Sequence, residues 1–141
     1  MSFFTEAALP AATTIIHRTS GHIAGVRELT DDATRLSVLA FPLRQLGEAV
    51  RFRGLAVPAC YILSGQGRIY IGESGNVARR LAEHQADPAK SFARDVFVIS
   101  GVDDRWFDKT AAVHFQYALT RAAEAAGLTT VLKGTNPQSL D

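Results

Sequence analysis

A β-hairpin followed directly by a helix is the strongest structural signal in the chain. Residues 61–63 and 69–71 are mostly aromatic and β-branched, as strands are, and the glycine-containing segment 64–67 separates them. A short connector of this kind is typical of a hairpin turn. Ser74 or Asn76 can cap the next helix, which is predicted to end near Gln85. The stretch therefore predicts strand, tight turn, strand and helix in immediate succession.

The rest of the chain supplies further elements of a small domain. Short strands are predicted at residues 14–17, 23–26, 36–40 and 96–100, and a last strand or extended return at 128–132. Pro42 and the helical spacing of apolar residues predict a short helix over 43–50. A long helix is predicted from Lys109 to Ala126, before Gly127. Its expected core stripe is Ala112, Phe115, Leu119, Ala122 and Ala126.

These elements predict an α/β (α+β) fold, with a small, mostly antiparallel sheet flanked by helices. Residues 1–54 are expected to form an N-terminal extension packed on a core domain of residues 55–141, as one compact unit. The length of 141 residues and a hydrophobic content of 47% are sufficient for a real core.

Charge and apolar patterning limit the partners of the chain. A formal net charge of +1 gives no strong overall field for a polyanion, so nucleic-acid binding would need a local patch. The candidates for such a patch are Arg44, Arg51, Arg53, Arg68, Arg79 and Arg80. No apolar run has the length of a membrane span, and the first residues lack a secretory signal. A cytoplasmic protein with no membrane partner is therefore expected, and the single cysteine, Cys60, suits a reducing compartment.

Two tyrosines, an arginine and a histidine are spaced so that they can surround one phosphate. Tyr61 and Tyr70 lie on strands on either side of one turn, so their rings can share a surface. Arg80 and His84 are four residues apart and share one face of the helix. The alternative is structural: strand tyrosines are often half-buried sheet residues.

The same residues resemble the GIY-YIG endonuclease domain. Ala59-Cys60-Tyr61 stands at the first family tripeptide and keeps its tyrosine, and Tyr70-Ile71-Gly72 keeps the second one intact. Arg80 and His84 stand at the positions of the family arginine and histidine. The resemblance covers roughly residues 55 to 138, through the strand at 96–99 and the following helix.

The resemblance implies a nuclease that cuts DNA, rather than RNA, with one Mg²⁺ or Mn²⁺ ion. It implies that Tyr61 lies near the attacking water, that Tyr70 helps to hold the water or phosphate, and that Arg80 neutralises the phosphate. With His84 these are the expected catalytic residues. The expected substrate-binding residues are Gly72, Arg79, Arg68 and Asn136, although Asn136 equally suits a turn before Pro137.

The metal position departs from the family pattern. The family glutamate that holds the metal should stand at Gln116, and a neutral amide is a far poorer ligand for a hard cation than a carboxylate. Glu73 is the substitute that its position suggests. Two functions therefore remain open: a metal-dependent endonuclease, impaired or inactive at Gln116, or a non-catalytic module that binds nucleic acid or a protein on the same fold.

Overall fold

The computed structural model describes residues 11–21, 23–127 and 130–132. The strands are β1 (Thr14–Arg18), β2 (Arg27–Asp31), β3 (Leu36–Pro42), β4 (Ala59–Gly65), β5 (Arg68–Ser74), β6 (Asp95–Gly101) and β7 (Thr130–Leu132). The α-helices are α1 (Leu46–Ala49), α2 (Val77–Gln85) and α3 (Lys109–Ala126). Short 3₁₀ turns occur at Leu43–Gln45, Arg53–Leu55 and Pro88–Lys90. The predicted mixture of helices and a mostly antiparallel sheet is confirmed.

The seven strands that the described residues form belong to one sheet, in the order β1-β2-β3-β6-β4-β5-β7. All neighbours are antiparallel except β5 and β7, which are parallel. β3 pairs with β6 along its whole length, from Leu36 opposite Gly101 to Pro42 opposite Asp95. Strands from the extension and from the core domain therefore form a single sheet, and the apolar strand β6 lies at its centre, as predicted.

The hairpin turn is tighter than the predicted connector. β4 and β5 pair as far as Gly65 opposite Arg68, so only Gln66 and Gly67 form the loop. Both have positive φ, 52° and 73°, as a two-residue type I′ turn requires. Glycine adopts this conformation readily, which explains Gly67 at the second position.

The strand alternation divides the core between the two faces of the sheet. α1 and α2 cover one face, which carries the side chains of Leu39, Phe41, Tyr61, Leu63, Val96 and Val98. α3 packs on β4 and β5 at the opposite face, which carries Cys60 and Ile71. Fully burying an aliphatic or aromatic side chain of this size contributes about 1.5–3 kcal/mol.

Two predictions about the elements are wrong. Ile23 and Ala24 belong to a turn, and the strand expected at 23–26 lies instead at β2, whose polar side chains are only half-buried. In α3 the predicted stripe is buried at Ala112 alone, whereas Ala122 and Ala126 are exposed. The sheet covers only the first part of this helix. The spacing of apolar residues along a helix cannot show where its contact with the sheet ends.

The described helices show nothing that could cross a bilayer. Within residues 11–21, 23–127 and 130–132, none combines the length and the apolar character of a membrane-spanning segment.

Candidate functional site

The register of the hairpin brings Tyr61 and Tyr70 to the same face of the sheet. Tyr61 is opposite Gly72, and Tyr70 is opposite Leu63. The two tyrosines are therefore diagonal neighbours, and their ring centroids are 6.3 Å apart. The expectation that the rings share one surface is confirmed.

Gly72 makes room for the Tyr61 ring. A Cβ atom at this position would lie 2.6 Å from both Cζ and Oη of Tyr61, closer than a side-chain carbon can approach. Since any larger residue would displace the ring, glycine here is required by packing across the strand pair. Its predicted role in substrate binding stays a prediction.

The start of α2 fixes where Arg80 and His84 lie. Asn76 caps the helix, and its Oδ1 accepts a hydrogen bond of 3.2 Å from the backbone N–H of Arg79. The backbone N–H of Asn76 in turn donates to Ser74 Oγ at 2.8 Å. Because Ser74 ends β5, this capping turn places the first helical residues directly after the strand that carries Tyr70.

His84 packs against both tyrosines. Its Nε2 lies 2.7 Å from Tyr61 Oη, and its ring meets Tyr70 edge-on at a centroid distance of 5.1 Å. Its residue exposure is only 4%. Burial, followed by the positive charges of Arg80 and Lys90, lowers the pKa of His84 to about 4. The imidazole is therefore neutral at pH 7.

Burial raises the pKa of Tyr61, and the nearby Tyr70 phenol adds to this rise, while the Arg80 charge opposes it. Tyr61 is fully buried. The bond between Tyr61 and His84 thus joins two neutral groups in a dry part of the site.

Arg80 is the accessible charge of the cluster. Its side chain is 36% exposed, and Nη1 lies 2.6 Å from Glu83 Oε1 one turn along α2. Arg79 is further out, with 72% exposure and a distance of 3.9 Å from its Nε to Glu83 Oε2. The four predicted catalytic residues, Tyr61, Tyr70, Arg80 and His84, therefore lie together, and Arg79 lies at the edge.

The two predicted metal positions do not join this cluster. Glu73 pairs with Cys60 across the strands, so it lies on the α3 face, opposite Tyr61 and Tyr70. Its side chain is 3% exposed, and its Oε1 lies 2.5 Å from Lys109 Nζ. Gln116 Nε2 donates to the Ile71 carbonyl at 3.2 Å.

Both predicted metal donors are engaged in other contacts. The Glu73 carboxylate is neutralised by a lysine, and the Gln116 amide is used as a donor to backbone. Across the part of the chain that the structure describes, no three His, Cys, Asp or Glu side chains are grouped so that they could hold a metal ion together. Glu73 therefore lies on the sheet face opposite Tyr61, and its role as a substitute metal ligand stays a prediction.

The other predicted contacts are dispersed. Arg68 is exposed and shares the Tyr70 face of β5, two residues from Tyr70. Arg53 donates to the Gly101 carbonyl at 2.6 Å and pairs with Asp104, so it secures the loop after β6. Asn136 lies outside the described residues.

Lys90 is a site residue that the sequence pattern did not reveal. Its Nζ lies 4.5 Å from the centroid of the Tyr70 ring, within the range of a cation–π contact. A basic residue just after Asp87-Pro88 was the available signal, but only the 3₁₀ turn Pro88–Lys90 brings it to the tyrosine.

Neither protein-family models, nor curated proteins, nor solved structures match this chain. The resemblance to GIY-YIG domains thus stays a prediction from the sequence.

Proposed function

We propose that this chain is a GIY-YIG-like domain that binds nucleic acid, DNA in preference to RNA, with a backbone phosphate held by Arg80 at the edge of the cluster that it forms with Tyr61, Tyr70 and His84. The observation that supports this most is the mutual contact of Tyr61, Tyr70 and His84, with the partly exposed Arg80 guanidinium beside Tyr61. Arginine presents a planar fork of donors that suits phosphate oxygens. An incoming phosphate would compete with Glu83 for this fork.

Binding is favoured over cleavage by the state of Tyr61. A general base works best with a pKa near the working pH, whereas the pKa of this phenol is raised by burial. The site also has no carboxylate among the four residues, and the candidate metal ligands lie on the other face of the sheet.

Metal-dependent hydrolysis of phosphodiester bonds in DNA is the second candidate. The bond of 2.7 Å between Tyr61 and His84 favours it, because an imidazole in contact with a phenol can hold the hydroxyl in a fixed orientation. In that case Arg80 would neutralise charge that develops on the phosphate.

The test is a binding and cleavage assay on single-stranded, hairpin and duplex DNA labelled with fluorescein, with and without Mn²⁺. Arg80→Ala should weaken binding about tenfold, as expected for a lost charge-assisted phosphate contact. Arg121→Ala is the matched control, since Arg121 is an exposed arginine on α3. Equal binding by the parent protein and by Arg80→Ala would refute the proposed site.

Cleavage separates the two candidates. DNA cutting that needs Mn²⁺ and is lost in Arg80→Ala and Tyr61→Phe would establish the hydrolase. Gln116→Glu should not create cleavage, because the side chain of residue 116 contacts the Ile71 carbonyl. This contact lies on the sheet face that α3 covers, whereas the tyrosines lie on the other face. A gain of cutting in Gln116→Glu would show that residue 116 does serve the site.

A further inference from the structure

A groove of about 300 Å³ adjoins the tyrosine cluster, between the end of α2 and the segment before β6. Its lining consists of Leu43, Arg44, Gln85, Lys90, Ser91, Ala93 and Arg94. Three of these side chains are cationic and none is a carboxylate. The groove is therefore a local basic surface on a chain whose net charge is close to zero.

Lys90 connects the groove with the cluster. It lines the groove, and its Nζ also lies over the Tyr70 ring. Its side chain is 16% exposed, and Asp87 Oδ2 lies 3.5 Å from Nζ. The charges of Lys90 and Arg80 both act on His84, while those of Asp87 and Glu83 oppose them, so Lys90 and Arg80 both lie near the cluster.

One tertiary hydrogen bond and two local ones hold the walls of the groove in place. Gln85 Nε2 donates to the Leu43 carbonyl at 3.2 Å, which joins α2 to the segment that carries Arg44. On the other wall, Arg94 Nη1 donates to the carbonyls of Ser91 at 2.9 Å and Ala93 at 3.2 Å. The Arg94 guanidinium is thus oriented by the backbone, and a guanidinium has five N–H donors in total.

We propose that Lys90, Arg94 and Arg44 bind a second phosphate of the same nucleic-acid strand whose first phosphate lies at Arg80. This inference rests on the proposed function. It predicts the path of the bound strand over the surface, from the tyrosine cluster along the groove. Two guanidiniums supply forked donors and the lysine a compact charge, which is a suitable set for one phosphate. An acidic protein segment is the competing ligand class.

The test compares two double variants that remove equal charge. Lys90→Gln with Arg94→Gln should weaken binding of a short fluorescein-labelled DNA oligonucleotide about tenfold in fluorescence anisotropy. The slope of log affinity against log salt should fall by about 0.7 on single strands and about 0.9 on duplex, as for one lost phosphate contact. Arg105→Gln with Arg121→Gln, two exposed sites outside the groove, should leave both quantities nearly unchanged.

A single substitution at an exposed residue controls for misfolding of the double variants. Arg44 is exposed, so Arg44→Gln should weaken binding by two- to fivefold without changing the thermal melt. Equal losses in the groove and control double variants would overturn the groove proposal, while a separate loss in Arg80→Ala would still support the proposed function. Tighter binding of polyglutamate than of DNA at equal salt would overturn it as well. If Arg80→Ala and the groove variant both bind like the parent protein, both proposals fail.

Discussion

Tyr61 and Gly72 are paired residues on β4 and β5. The Tyr61 ring fits there only because Gly72 has no side chain. Gly72→Ala would place a methyl group 2.6 Å from the rigid Tyr61 ring, which must then shift and so disturb its contact with His84. We expect a loss of about 1–3 kcal/mol in the free energy of unfolding, measured by urea denaturation, as for other overpacked sites. Gly75→Ala is the control, because nothing lies within 4 Å of a Cβ there. Equal costs at the two positions would contradict this packing role.

His84 should make stability depend on pH. Its pKa is about 4 in the folded protein against an ordinary 6.5, so between these values the unfolded chain binds more protons. The contribution of the neutral imidazole to the free energy of unfolding is fully present above pH 6.5, and it is lost as the pH falls towards 4. We expect a loss on the order of 2 kcal/mol over this window from urea denaturation. His84→Gln should be less stable at pH 7 and should change less between these pH values; a parallel curve would exclude His84 as the source.

At the scale of the helix, Asn76 determines where α2 begins and hence where Arg80 and His84 lie. Asn76→Ala removes the acceptor for the Arg79 N–H and should lower the free energy of unfolding by about 1 kcal/mol. Asn76→Asp keeps an acceptor and adds a charge that suits a helix N-terminus, so its stability should be close to that of the parent protein. Chemical denaturation of the three proteins checks this, and an unaffected Asn76→Ala would mean that α2 needs no cap.

The elements that the sequence predicts well are those whose pattern is local. The hairpin, α2, β6 and α3 follow from alternation, apolar runs and capping residues within one segment. β2 was missed because its residues, Arg27–Asp31, are mostly polar and lie near the edge of the sheet.

The residues of the candidate site also divide into those that a local pattern predicts and those that it does not. The spacing of Arg80 and His84 indicated one helix face, and the hairpin indicated neighbouring tyrosines. Lys90 depends on a turn whose direction no local pattern gives. For Glu73 the signal was present: it is three residues after Tyr70, an odd number, which puts it on the opposite face of β5.

For the whole molecule, the decisive contact is the pairing of β3 with β6. A chain that starts at Arg35 keeps this pairing, whereas one that starts at Leu43 removes β3 and with it the buried Leu39 and Phe41. We expect the shorter chain to lack cooperative thermal unfolding in circular dichroism and to aggregate in size-exclusion chromatography, because β6 would present an open edge. The longer one should still unfold cooperatively. Cooperative unfolding of both would show that residues 43–141 fold without β3.

The central position of β6 also affects the order in which the chain can fold. Its two neighbours, β3 and β4, are synthesised earlier and cannot complete the sheet until residues 95–101 are available. The entropic cost of closing such long loops comes before their contacts form, and folding rates fall as contacts become less local. The hairpin of β4 and β5 can form early, but the assembly of the sheet waits for its central strand. In this chain the slow step of folding should therefore be the insertion of β6 between two strands that precede it.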